Sequence, residues 1–423
     1  MGLKKKTMSL LKTLGPGFIT GAADDDPSGI ATYSIAGARY GYALNWMSLF
    51  LIPMMIVIQE MCGRIGLCTG MGLVGAVKKH HSRLLLIFIV FTLTAANVIN
   101  IGADLAIMAS CLSIICKLPM VFLIVFVTGI ILVFELFIPY KKYAFYLKWL
   151  AATLLVYVAT AIIARQNWGE LIIMTLIPKI TFSSDYIMTL VGFIGTTISP
   201  YLFFWQAAEE VEEEIAEGRI QDFSETPRVY ARQVKRMNKD TVIGMVFSNI
   251  IASCIIITAA ATLFRNGIYE IATPQEAAMA LRPLAGDLAF YLFSFGIIAI
   301  GLQSIPILAG SVAYSWAELI GAREGLGKPL KNARFFYFIL FLSTVIGAIV
   351  TFVGINPIKF LFYSAVFNGI VSIPLIVIVI TMAKRDDVVG KMKSSPLASG
   401  IGWATFVLIT VSVGLLLFKT LTS

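Results

Sequence analysis

The sequence predicts an all-α polytopic membrane protein made of two inverted five-helix repeats plus one extra helix, with helices 1 and 6 broken. Three observations carry that prediction. Apolar runs of the length that spans a bilayer, about 20 residues, recur along a chain of 423 residues that is 58% hydrophobic and 13% charged. Basic residues crowd into alternate loops. Two of the runs are interrupted by proline beside polar residues, at Asp24-Asp25-Asp26-Pro27-Ser28-Gly29 and at Gly195-Thr196-Thr197-Ile198-Ser199-Pro200.

The apolar segments fall at 14–38, 43–68, 84–114, 120–139, 144–164, 186–210, 241–264, 287–318, 335–354, 358–383 and 399–418, giving about eleven transmembrane helices. Mean hydropathy is +0.86. The third and eighth segments exceed what a bilayer needs, which predicts tilt or extension into water. The alternating pattern of an outer-membrane barrel is absent. Lys12 interrupts the first short apolar run without a cleavage site, so no signal peptide is read there. Short hairpins between segments make residues 1–423 one integral transporter domain, with repeats at about 14–165 and 186–383 and the extra helix at about 399–418. Pro27 and Pro200 stand 173 positions apart, about five spans with their loops, and paired interruptions at corresponding positions of two halves point to a binding site.

Basic residues set the orientation. With the N-terminus cytoplasmic, that side holds 24 of the 33 Lys and Arg: the Lys4–Lys12 group, the Lys78/Lys79/Arg83 loop, Lys141/Lys142/Lys148, the Arg219–Lys239 loop, the Arg323–Arg334 loop and the Lys384–Lys393 group. Eight lie outside, and Arg64 lies within a span. The expectation is a multi-pass protein of the cell membrane with a cytoplasmic N-terminus and an extracellular C-terminus. The same rule explains the net charge of +9 without nucleic acid.

Enzyme chemistry has little to work with. His80 and His81, the two histidines, lie in a basic loop, and no nucleophile–base spacing stands out. Cys62, Cys68, Cys111, Cys116 and Cys254 all fall in or at the ends of apolar segments, without a zinc-binding spacing, and read as small buried hydrophobes. The chain is therefore read as a transporter with no catalytic residues and no cofactor.

Three carboxylates in hydrocarbon cost about 2.5–3.5 kcal/mol each if left facing lipid. Pro27 removes a backbone donor and Gly29 relaxes the dihedrals, so the helix breaks just after the acids. Acids at the break of a membrane helix are the signature of a cation site. Successive helical residues turn by about 100°, so Asp24 and Asp25 cannot face the same way as Asp26.

Gly15-Pro16-Gly17-Phe18, Asp26-Pro27, Ala31-Thr32 and Gly37-Ala38-Arg39-Tyr40-Gly41-Tyr42 resemble the first helix of the Nramp divalent-metal transporters. Residues Gly195 to Glu210 align without gaps on that family's sixth helix, and Asp104-Leu105-Ala106 matches a pattern of its third. The resemblance implies a LeuT-type inverted repeat. It also implies departures at the metal site. The family reads Asp-Pro-Gly-Asn at the first break and Met-Pro-His at the second. Here its Asp matches Asp26, its Asn falls on Gly29, its Met on Ser199 and its His on Tyr201. The residue whose carbonyl binds metal corresponds to Thr196, and the third-helix glutamate of the proton route to Ile107, while Asp104 is kept. Span 9 carries no arginine after Arg334. These substitutions resemble the Nramp-related magnesium-transporter branch.

Loss of the sulfur ligand removes the preference for soft metals. What remains is hard oxygen suited to Mg2+ or Mn2+, with Asp26, Ser28, Thr196 and Ser199 as the metal residues. Asp24, Asp25, Gly29, Asp104, Tyr201, Gln303 and Asn368 are placed at the surrounding cavity or vestibule, and small Gly29 is expected to leave room for a hydrated ion. The predicted function is import of a hard divalent cation by alternating access, by a monomer in the lipid bilayer. It is expected to run without proton coupling, because spans 3, 6 and 9 are sparse in titratable groups; Asn97, Asn100 and Asp104 give span 3 one polar face. The glutamates Glu209, Glu210, Glu212, Glu213, Glu214 and Glu217 oppose the dipole of the helix they close. They are read as a solvated end paired with Arg219, Arg228, Arg232, Lys235 and Arg236, the alternative being an acidic exit funnel or a metal-sensing gate for divalent cations. The alternative to metal transport is a LeuT-fold transporter of a non-metal solute that has lost the metal site; a non-transporting sensor is the third, without a soluble domain to support it.

Overall fold

The structure, a computed structural model, describes residues 15–137, 149–164 and 166–422. Its principal helices are α1 (Pro16–Asp24), α2 (Pro27–Tyr40), α3 (Asn45–Thr69), α4 (Arg83–Cys116), α5 (Met120–Phe137), α6 (Leu155–Ile163), α7 (Ser184–Thr197), α8 (Pro200–Ala216), α9 (Ala231–Thr262), α10 (Ala289–Ile320), α11 (Arg334–Val350), α12 (Pro357–Met382) and α13 (Pro396–Thr422). Nine described segments are long and apolar enough to cross a membrane, α7 and α8 together making one of them. The broken pair α1/α2 and the shorter Ala152–Ile163 occupy the first and fifth positions read from the sequence. The start of the fifth segment, 144–148, and the basic groups at Lys4–Lys12 and Lys141–Lys148 lie outside the described residues.

Both interruptions break the helix, and in each the second piece starts on proline. Pro27 and Pro200 sit at the first positions of α2 and α8, where the missing N–H would have no helical partner in any case. The first break lies slightly earlier than the sequence suggests. α1 ends at Asp24, Asp25 leaves helical geometry, and Asp26 is the extended N-cap of α2 (φ −64, ψ 173). Aspartate is among the preferred N-caps because its carboxylate accepts the first orphan amides, so the third acid starts the new helix instead of ending the old one.

The broken helices occupy the centre. The α7–α8 window is 89% buried, against 28% for α13, which places α13 at the lipid-facing rim. α1 and α2 lie along α9, α7 along α12, α8 along α3, and α4 against α10, α11 and α12. Close approach of α1 to α9 depends on glycine: a Cβ on Gly17 would stand 2.6 Å from the Thr241 amide nitrogen. Small residues at such crossings are how membrane helices gain dispersion contact without a hydrophobic driving force. Asp240 of α9 fastens the start of α1, its carboxylate accepting N–H groups of Gly15 (2.9 Å), Gly17 (2.8 Å) and Phe18 (3.3 Å). A carboxylate there satisfies orphan donors and complements the helix dipole.

Two expectations are corrected by the packing. The glutamate run is not a solvated end: Glu209, Glu210, Glu212 and Glu214 are buried. Arg219 pairs with Glu214 and Glu217, and Arg236 with Glu213 and Glu217. Glu212 instead accepts the Tyr314 hydroxyl at 2.7 Å, because α8 ends against α10 and not in water. The cysteines are likewise not uniformly buried. Cys62 and Cys111 are, Cys68 and Cys254 are partly covered, and Cys116 at the end of α4 is exposed.

Candidate functional site

The site is built where the two breaks touch. Asp26 caps α2 with Oδ1, which accepts the Gly29 amide at 2.8 Å and the Ser28 hydroxyl at 2.5 Å. Ser28 Oγ lies 3.3 Å from Thr196 Oγ1 at the end of α7, so the first break contacts the second through hydroxyls. Next to them, Tyr33 and Thr197 share a 2.9 Å hydroxyl contact. Tyr201, just past the second break, donates its hydroxyl to the Ala23 carbonyl at 2.8 Å, taking one of the carbonyls left over at the end of α1.

The other oxygen of Asp26 is served from α4. Asn100 Nδ2 donates to Asp26 Oδ2 at 2.8 Å, and Asn100 Oδ1 accepts the Ser364 hydroxyl of α12 at 2.8 Å. Asp26 is therefore held by three donors, and one lone-pair direction on Oδ2 remains for a ligand. Sequence reasoning placed Asn100 on a polar stripe without giving it a role; an amide four positions from Asp104 on the same span was the available signal, and it gained a partner only once α2 was brought beside α4. The other two members of the stripe go elsewhere. Asn97 donates to the Leu308 carbonyl and Ser311, and Asp104 accepts the Ser304 hydroxyl at 2.7 Å.

Asp24 and Asp25 are fully buried. Among the described residues no three His, Cys, Asp or Glu side chains converge to hold a metal, so the acidic triplet is not a three-carboxylate site. Asp24 Oδ2 accepts the Ser248 hydroxyl of α9 at 2.7 Å, a partner the sequence did not suggest. Its Oδ1, both oxygens of Asp25, Asp104 Oδ1 and the amide groups of Gln303 and Asn368 are buried without a hydrogen-bond partner. Ser199, in contrast, spends its hydroxyl on the Gly195 and Thr196 carbonyls at 2.9 and 2.7 Å, closing the end of α7.

Gly29 does not provide open room. A Cβ there would lie 3.3 Å from the Asp24 carbonyl and from Thr196 Oγ1, and 3.4 Å from the Tyr33 ring. The glycine lets the two breaks close on each other. A small cavity of about 10 Å³ lies on the α2 side of the break, lined by residues including Ser34, Ile107, Phe293 and Ile297. Ile107 thus faces a compartment whose lining carries no titratable side chain.

Known proteins share this frame. Two Divalent metal cation transporters MntH are similar along almost their whole length: that of Clostridium acetobutylicum at 25% identity (98% of this chain, 92% of the relative) and that of Deinococcus radiodurans at 27% (97% and 91%). Among solved structures, the Eremococcus coleocola manganese transporter superposes with a TM-score of 0.74 at 18% identity, covering 96% of this chain and 86% of that one. Mhp1, a nucleobase-cation-symport-1 family transporter, superposes in a closed conformation with a TM-score of 0.63 at 12% identity, covering 96% and 92%. At those identities the likeness establishes the fold, the LeuT-type inverted repeat with broken first and sixth helices. Residues 17–419 match the Natural resistance-associated macrophage protein-like family, and the chain belongs to that Nramp family of metal-ion transporters, not to a family of enzymes.

Proposed function

We propose that the protein carries a hard divalent cation, Mg2+ or Mn2+, across the cell membrane by alternating access, acting as a monomer with its N-terminus in the cytoplasm. The observation that carries the reading is the contact of the two breaks around Asp26, at membrane depth, beside buried oxygens that lack donors. An ion entering with part of its water shell supplies those donors. Mg2+ sheds water reluctantly and is bound through one or two carboxylates, and Asp26 with one open lone-pair direction fits that demand better than a fully dehydrated site. Rotation of the Asn100 amide turns its oxygen to the ion and its nitrogen to Ser364, converting a donor to Asp26 into a ligand. Ser28 and Thr196 add hydroxyl oxygens, and no sulfur lies in the set, which favours hard ions over soft ones.

Transport without proton coupling is part of the proposal. Ile107 and the cavity beside α2 offer no relay group, and proton routes through membranes use chains of Asp, Glu or His. The test is uptake into liposomes. The parent protein takes up Mg2+ or Mn2+ without acidifying the lumen, and Asp26→Ala abolishes uptake. Equal uptake by Asp26→Ala would overturn the cation site, and lumenal acidification in step with uptake would overturn the uncoupled mechanism. No binding heat with Mg2+, Mn2+ or Ca2+ would favour a non-metal solute on the same fold.

A further inference from the structure

A cavity opens at the end of the bundle where α3, α8 and α10 finish. It has a volume of about 480 Å³, and its charges are segregated. Glu318 and Glu324 form the floor, 8% and 5% exposed; the Glu318 carboxylate lies against the backbone amides of Gly72, Val74 and Gly75, while Glu324 Oε2 is buried without a hydrogen-bond partner. Burial, and then the Glu318 carboxylate beside it, hold the Glu324 carboxyl well above its ordinary value of 4.5, with Lys328 acting in the opposite direction. The rim is basic. Lys78, Lys79 and Arg323 are exposed, and Lys328 is partly covered. Lys78 donates to the Glu318 and Leu319 carbonyls, and Lys328 pairs with Asp222. Lys79 and Arg323 make no ion pair among the described residues.

A bare cation has to pass four positive side chains to reach this floor. A bare anion satisfies the rim but meets buried carboxylates below it. A ligand carrying both signs answers every charge in the cavity: phosphate oxygens take lysine and guanidinium donors, and a divalent ion bound to the phosphates presents its open coordination positions to carboxylate oxygens. The volume suits it, since pockets for small ligands run to about 300–1000 Å³. We propose that this cavity binds a divalent cation complexed with a polyphosphate, the metal at Glu318 and Glu324 and the phosphates at Lys79, Arg323 and Lys328.

The position gives such a ligand a grip on the transport helices. The 321–328 loop folds over Glu212 of α8: Tyr314 joins Glu212 Oε1 to the Leu326 amide, and a Cβ on Gly325 or Gly327 would stand 3.0 Å from a Glu212 carboxylate oxygen. α8 begins at the Ser199–Pro200 break, so a complex seated on Arg323, Glu324 and Lys328 bears on one half of the transport site.

The inference does not rest on the cation-transport reading, and the test separates them. Calorimetry uses full-length protein carrying Asp26→Asn, titrated with Mg2+ alone, with inorganic tripolyphosphate in chelator, and with the two together; Mg-ATP is a parallel arm that distinguishes a nucleotide from inorganic polyphosphate. The expected result is binding of a metal–polyphosphate complex at least tenfold tighter than either component. Glu324→Gln and the exposed-site variant Arg323→Ala are each expected to lower that affinity at least tenfold, while Lys391→Ala leaves it unchanged. Absence of binding by either complex overturns the proposal. So does Mg2+ alone, or polyphosphate alone, binding as tightly as the complex, or an Arg323→Ala protein that binds like its parent.

Discussion

Replacing Asn100 with leucine, nearly isosteric, separates a structural amide from a cation ligand. Two hydrogen bonds of 2.8 Å are lost, one to Asp26 Oδ2 and one from Ser364. If Asn100 only joins α4 to α2 and α12, each bond is a membrane interhelical hydrogen bond worth about 0.6 kcal/mol. One such bond changes cation affinity by roughly threefold at most. If the amide acts on the charge at Asp26 and turns its oxygen to the ion, the interaction falls in the charged class, about 1.5–3 kcal/mol. That converts to roughly 10- to 150-fold in the dissociation constant. The assay is Mg2+ and Mn2+ calorimetry on purified protein, with a thermal melt without metal to confirm folding. Asn100→Leu is expected to weaken both ions by at least tenfold, and Asn100→Asp to retain binding by supplying oxygen. A loss of threefold or less in Asn100→Leu would refute the ligand role and leave Asn100 as a helix tie.

Three further outcomes follow from the packing. Asp25→Asn is expected to raise the melting temperature without metal, since both carboxylate oxygens are buried and unpartnered and an unpaired buried charge is costly; a lower melting temperature would point to an undetected partner. Gly17→Ala is expected to destabilise by about 1–3 kcal/mol, the usual cost of overpacking, because its Cβ meets the Thr241 backbone at 2.6 Å; an unchanged denaturation midpoint would mean that α1 shifts freely on α9. Glu324 faces Glu318, Lys328, Glu212 and Asp222, and its carboxyl is raised by burial first and by Glu318 second. A group whose folded-state value is raised contributes stability below its unfolded value and loses it as pH rises through the folded one. Stability of the parent is thus expected to fall with rising pH above about 4.5, and Glu324→Gln to flatten that part of the melting-temperature profile; parallel profiles would remove Glu324 as the source.

The helical frame was legible because each device that makes it leaves a mark on the chain. Bilayer thickness sets the run length, and the absence of water forces every backbone group into a helix. Two prolines mark the places where that rule is suspended. What surrounds the breaks was less legible, because it depends on side chains that are far apart in sequence. Asn100 is 74 positions from Asp26, and Ser248 is 224 from Asp24. Neither asparagine on a membrane helix nor serine is unusual enough alone to name its partner. Glycine misled for a related reason: from the chain Gly29 reads as missing bulk and hence as space, whereas in the fold missing bulk allows two broken helices to meet.

The glutamate run fails as a solvated end for a physical reason that also connects the two sites. Charged residues near the end of a membrane helix read as solvent-facing when loops are short, since water is their cheapest partner. Here the hairpins after α8 and α10 fold back over the helix ends, so the stripe splits by face. Glu213, Glu214 and Glu217 meet Arg219 and Arg236, while Glu212 turns inward to Tyr314 and the 321–328 loop. One helix therefore carries Ser199 and Tyr201 at its start and Glu212 at its far end. A rigid element that starts at the proposed cation site and is clasped by a charged loop at its other end transmits a change at either end to the other, provided that it moves as a unit. Burial of the α7–α8 window to 89% makes bending within α8 costlier than displacement of the whole helix. On that ground, opening of the proposed cation site and release of the loop from Glu212 are expected to be two views of one motion.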